Sequence, residues 1–173
     1  EVYGIPVFFH WTLYVIAPLF IMSKFNMGAW PSIFAIALLG ILSIVLHEIG
    51  HCILAMKHNC PVQSITMYPI GGVARLMKTP EEPRHEFQVA VAGPLVTLVL
   101  AVVFGAVTYF SVLFRIEFLF NITITLTALN IIWLVFNLIP AFPMDGGRLL
   151  RAWLTPRKGL LEATRIASTI GKY

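Results

Sequence analysis

The chain has 173 residues, 58% of them hydrophobic and only 12% charged, with a formal net charge of +4. A soluble domain carries roughly 25% charged residues, so the composition excludes an ordinary soluble protein and points to one membrane-embedded domain. The positive residues lie between apolar stretches rather than along one amphipathic face, so no nucleic-acid partner is expected, and Cys52 and Cys60 are too few for a disulfide framework.

Four windows lack Lys, Arg, Asp and Glu: residues 2–23, 25–47, 87–114 and 118–144. A helix of about 20 residues crosses a bilayer. The expected fold is therefore an all-α polytopic membrane protein with at least four transmembrane helices. In the first window His10 reads as a packed or interfacial histidine. The second helix should begin near Pro31, a favoured first-turn residue, and run to about Met56. Residues 57–83 include "VQSITMYPIGGVARLM", whose β-branched residues and Gly71-Gly72 predict a small strand or hairpin segment between the second and third helices. His58 and His85 are expected to be solvated there. On the third window Gly93, Thr97, Ala101 and Gly105 recur at four-residue spacing, which reads as a helix-packing face. Gly40 and Ser43 should likewise let a helix approach the second span. Thr123, Asn130 and Asn137 lie seven apart on the fourth, where interhelical hydrogen bonds suit the first two.

Charge sets the expected orientation. Lys57, Arg75, Lys78 and Arg84 separate the second and third spans, and Arg148, Arg151, Arg157, Lys158, Arg165 and Lys172 follow the fourth. Only Lys24 and Arg115 fall on the opposite side. The positive-inside rule makes the crowded side cytoplasmic. The reading is a multi-pass protein of the cell membrane. Residues 1–173 form a single domain that begins without methionine and ends in what reads as a new helix. It is expected to be part of a longer membrane protein, with later spans and any regulatory domain beyond it.

The second window runs into "HEIGH" at 47–51. An ionisable group at a helix centre in hydrocarbon costs about 2.5–3.5 kcal/mol on insertion scales, so three in one turn need a common partner. His47 and His51 are four apart and share a helical face, where they can grip one metal ion. Glu48 points beside that face and can act as general base on a water, as in the HExxH arrangement of zinc peptidases. Cys52 is turned about 100° from His51 and is left out of the site. A catalytic zinc usually takes three protein ligands plus water. Asp145, the only aspartate, stands in "NLIPAFPMDGGR", where Pro140 and Pro143 should break the fourth span and swing the chain sideways. An aspartate there also suits an N-cap for a helix beginning near Arg148. The incomplete metal site at the same depth favours the ligand reading.

"HEIGH" in a transmembrane helix, "PIGGV" at 69–73, "AGP" at 92–94 and "NLIPAFPMDGG" in this order resemble the site-2 protease family of intramembrane zinc metalloproteases, archaeal and bacterial members above all. The resemblance implies one Zn2+ per chain held by His47, His51 and Asp145, Glu48 as the catalytic glutamate, and Asn137 as a residue that helps hold substrate. It implies a three-helix core, matching the second to fourth spans. It further implies a zinc metalloendopeptidase that cuts within or near transmembrane segments of membrane-protein substrates in the lipid bilayer; the charge asymmetry puts its site toward the cytoplasmic side. Nothing in the sequence speaks to oligomeric state.

Two other readings fit part of the pattern. Two histidines and a carboxylate can hold non-haem iron, as in a membrane oxygenase, and a polytopic transporter or scaffold could use the metal without catalysis. The oxygenase leaves Glu48 without a role, and a transporter should carry polar residues along its whole route. A substrate helix must unwind before its carbonyls can be attacked, and the segment around residues 68–74 could offer a strand edge to the extended chain.

Overall fold

The computed structural model describes residues 6–12, 30–68, 71–78, 80 and 82–171. Helix α1 (Trp30–Lys57) carries Pro31 in its first turn and ends on Lys57, the first charged residue after the apolar run apart from Glu48. Helix α2 (Pro83–Leu113) likewise starts on a proline, and α3 (Glu117–Asn137) follows after a short turn. Their most apolar 18-residue stretches have mean hydropathies of 2.2, 2.4 and 1.9, and among the described residues these are the helices long and apolar enough to cross a membrane. At 28 and 31 residues, α1 and α2 span about 42 and 46 Å at 1.5 Å per residue. Both therefore outreach a hydrocarbon layer of about 30 Å. The HEIGH turn lies within the last three turns of α1.

Between α1 and α2 the chain forms β2 (Val62–Tyr68) and β3 (Gly71–Leu76), paired antiparallel with Ile65 opposite Ala74 and Met67 opposite Gly72. The expected hairpin is present, and a third strand joins it. β1 (Val7–Phe9) pairs parallel to β2, with Val7 opposite Ile65, giving the sheet order β1-β2-β3. The first apolar window is thus not helical at residues 7–9. A short apolar run does not distinguish strand from buried helix, and the open edge of β2 satisfies the backbone groups of β1. Residues 13–23 of that window lie outside the described residues. The inner face of β2 meets α1: Ile65 and Met67 pack with Cys52, and Val7, Ile44, Val45 and Ile49 close around them. A second cluster of Ala55, Cys60 and Val89 joins α1 to α2.

The fourth window ends as a helix at Asn137, short of Met144, because Pro140 and Pro143 cannot supply helical N–H groups. After the resulting turn the chain re-forms as α4 (Asp145–Lys158), which packs on α2, and α5 (Leu160–Ile170), which packs on α4. Met144 takes the N-cap position, so Asp145 is not the cap of this helix.

Four smaller expectations meet the structure as follows. The Thr108 and Thr123 hydroxyls hydrogen bond at 2.9 Å between α2 and α3, and the Asn130 amide donates to Ser43 Oγ at 3.5 Å. Among the described residues, no atom beyond Gly40's own helix neighbours lies within 4 Å of where its Cβ would stand, so the close approach expected there is not seen. His58 and His85 are not freely solvated: their half-buried rings stack at 4.0 Å where α1 ends and α2 begins. His10 packs its ring against Tyr68 at 4.8 Å and hydrogen bonds Thr12.

Candidate metal centre

His47 and His51 stand one turn apart on α1, and Asp145 is carried to them by α4. All three are buried. His47 Nε2, His51 Nε2 and Asp145 Oδ2 form a triangle with every side 3.1 Å long. Their partners on the far side decide what this triangle is. His51 Nδ1 lies 2.7 Å from the Val89 carbonyl, which can only accept, so Nδ1 carries the proton. His47 Nδ1 lies 2.8 Å from Thr97 Oγ1, whose own hydrogen is directed to the Gly93 carbonyl at 3.3 Å, so Nδ1 donates here as well. In neutral rings both Nε2 atoms then present lone pairs toward the carboxylate oxygen. Three lone-pair donors converge with no proton between them, which is repulsive unless a cation sits among them.

The spacing fits a metal ion. Donors about 2.0–2.1 Å from a tetrahedral zinc stand about 3.3 Å apart, close to the triangle seen. Among the described residues this trio is the group of histidine, cysteine and carboxylate atoms that converges closely enough to hold a metal. An aspartate ordinarily loses its proton at about pH 3.9, and a cation held among these three atoms would keep Asp145 in its carboxylate form.

Glu48 is outside the trio. Its side chain turns toward β3, so close to Gly72 that a Cβ there would stand 2.3 Å from Glu48 Cγ and 2.9 Å from Oε1. Glu48 and the trio open onto one cavity of about 240 Å³. Asn137, the last residue of α3, lines this cavity as well. So do Gly72, Ala74 and Leu76, alternate residues on one face of β3, together with Arg148 of α4. The five residues singled out from sequence thus meet at one place.

Sequence reasoning missed the supports. Thr97 and Gly93 read as packing positions at four-residue spacing, but Thr97 orients His47, and a Cβ on Gly93 would stand 2.2 Å from His51 Nε2. Val89 acts through its carbonyl, which no side-chain pattern reports. Arg148 follows Asp145 by one helical turn, a spacing that could have flagged it. Losing the partner of a metal-binding imidazole typically lowers metal affinity 10- to 100-fold. Thr97→Val keeps the shape and removes the acceptor, so zinc affinity should fall about tenfold. Competition with a chromophoric chelator measures this, and an unchanged affinity would mean that Thr97 only packs.

Comparison with known proteins gives the following. The sequence matches Peptidase family M50 over residues 33–127 and 114–172. It is 42% identical over 183 residues to a zinc metalloprotease of Methanocaldococcus jannaschii, covering 99% of this chain and 49% of that relative. It is 36% identical over 117 residues to stage IV sporulation protein FB of Bacillus subtilis, covering 66% of this chain and 38% of that protein. Among solved structures, the site-2 protease from Methanocaldococcus jannaschii superposes with a TM-score of 0.71 at 33% identity, covering 99% of this chain and 77% of that one. The chain spans about half the length of the first of these relatives, 49%.

Proposed function

The chain belongs to peptidase family M50, and from that premise we propose that it is the catalytic core of an intramembrane zinc protease that hydrolyses peptide bonds within or near transmembrane segments of membrane proteins. The convergence of two imidazole lone pairs and one carboxylate at 3.1 Å, beside a glutamate that is not a ligand, carries this reading. His47, His51 and Asp145 would hold the zinc. When bound it supplies a Lewis acid that acidifies a water and polarises a peptide carbonyl.

The rest of the chemistry belongs to the chain. Glu48, free of any ligand role, accepts the proton of the attacking water and returns it to the departing amine nitrogen. Asn137 and Arg148 line the same cavity and offer N–H donors to the oxyanion or to substrate carbonyls. The Gly72, Ala74 and Leu76 face of β3 forms one wall, and among the described residues β3 is the edge strand of the sheet. An unwound substrate can pair with that edge. Ile70, in the β2–β3 connection, lies outside the described residues. Substituting proline there should slow cleavage several-fold, since it removes a backbone donor, and leave zinc content unchanged. Equal turnover would argue against strand pairing.

Apolar helices and family membership make this a multi-pass membrane protein, with lipid around it. Our finer reading has four or more spans, residues 1–173 as one protease core, and a cell-membrane location with the site reached from the cytoplasm. The cluster of Lys57, Arg75, Arg84, Arg148 and Arg151 at the HEIGH end of the helices supports that orientation. Cleavage of single-span substrates by purified protein in detergent, with metal quantified alongside, tests the proposal. Zinc near one per chain with cuts inside the span is expected. Iron, or no metal, would overturn it.

A further inference from the structure

Two of the three lone-pair donors stand on one turn of α1, so their separation is set by helix geometry. Asp145 is different. It opens α4, a 14-residue helix too short and too polar to be a span, reached through a seven-residue turn with two prolines. Where its carboxylate sits depends on how α4 is docked.

Among the described residues, the hydrogen-bonded side-chain pair between α2 and α4 is Glu86 with Arg151. Glu86 is 5% exposed, and Arg151 directs both Nε, at 2.8 Å, and a terminal nitrogen to its Oε1. The same guanidinium lies 5.2 Å from the ring centre of Phe142, in the turn that delivers Asp145. Arg151 thereby holds α4 and its incoming turn to α2 at once. The anchor is well placed, because Glu86 lies one turn before Val89, whose carbonyl orients His51. Helix α2 is then the common frame for both sides of the triangle. Such a largely buried ion pair adds little net stability, since desolvation offsets the attraction, but two guanidinium nitrogens on one carboxylate oxygen fix the relative placement of the two helices.

We infer that the Glu86–Arg151 pair is a positioning latch that sets Asp145 against His47 and His51, and that breaking it lowers metal affinity through Asp145 alone. The inference rests on the metal-centre reading above. It differs from ordinary packing in one measurable way. Damage to the scaffold at large would weaken zinc binding whether or not Asp145 is present, whereas a latch for Asp145 has nothing to position once that carboxylate is gone.

The test measures zinc affinity of the detergent-solubilised protein by chelator competition, for Arg151→Met and for Glu86→Gln. The second variant keeps the side-chain volume and serves if the first folds poorly. Each is made in the native background and in Asp145→Ala. We expect a loss of about tenfold in the native background and none further in Asp145→Ala. Equal losses in both backgrounds would make the pair merely structural and overturn the inference, as would no loss in either. Should Asp145→Ala itself bind zinc as tightly as the native chain, the metal-centre reading fails, and the latch with it. That result is distinct, because it appears before either latch residue is changed.

Discussion

Glu48→Gln is expected to reduce peptide cleavage by about 10²- to 10⁴-fold, the usual contribution of a positioned general base, while zinc stays near one per chain. The substitution is nearly isosteric, which matters because Glu48 is packed tightly over Gly72 of β3 and a larger change would disturb the strand. An amide keeps that contact but cannot take the proton of water at neutral pH. The ligand trio is untouched, since Glu48 is not among the converging donors. Single-turnover cleavage of a single-span substrate, with metal measured on the same sample, separates the two effects. Retained cleavage would remove Glu48 from the mechanism. Loss of zinc together with activity would make it a ligand or a structural support instead. The same variant distinguishes the enzyme from a transporter or scaffold, neither of which needs a base at this position.

Gly93→Ala should abolish tight metal binding, lowering zinc affinity about a hundredfold or more, beyond the usual effect of losing one supporting contact. The added methyl would stand 2.2 Å from His51 Nε2 and 2.7 Å from His47 Nε2, in the space where the two rings face Asp145. Neither ring can retreat easily, because Thr97 and the Val89 carbonyl hold their far sides. Helix stability cannot be blamed for the loss, since alanine favours a helix over glycine by about 1 kcal/mol. Gly105→Ala is the matched control on the same helix: among the described residues a Cβ there meets Thr127 alone, at the ordinary distance of 3.8 Å. Zinc titration of the two variants should show loss in the first and native affinity in the second. Full affinity in Gly93→Ala would mean that the metal is held elsewhere.

Much of this molecule is legible in one dimension. The apolar windows that became α1, α2 and α3, the proline break after Asn137 and the β2–β3 hairpin all follow from local composition and from residues that cannot continue a helix. So does the His47–Glu48–His51 turn, because a four-residue spacing fixes a shared helical face wherever the helix is placed. The first window shows the limit of such reading. Its apolar residues suit a span, yet Val7–Phe9 pair with β2, a partner more than 50 residues away. Thr97 and Gly93 show the same limit at the site: their spacing announces a packed face, and only packing tells that the neighbour is a histidine ring. Asp145 could be named because it is the only aspartate, but its meeting with His47, 98 residues earlier, requires the docking of α4 on α2. What the sequence determined by itself is whatever the covalent chain dictates within a turn or two: helices, breaks, and the pair of imidazoles. What the tertiary structure decided is which atoms from distant segments share one small buried volume. That depends on the packing of whole helices and on contacts such as Glu86–Arg151, whose geometry no local pattern encodes.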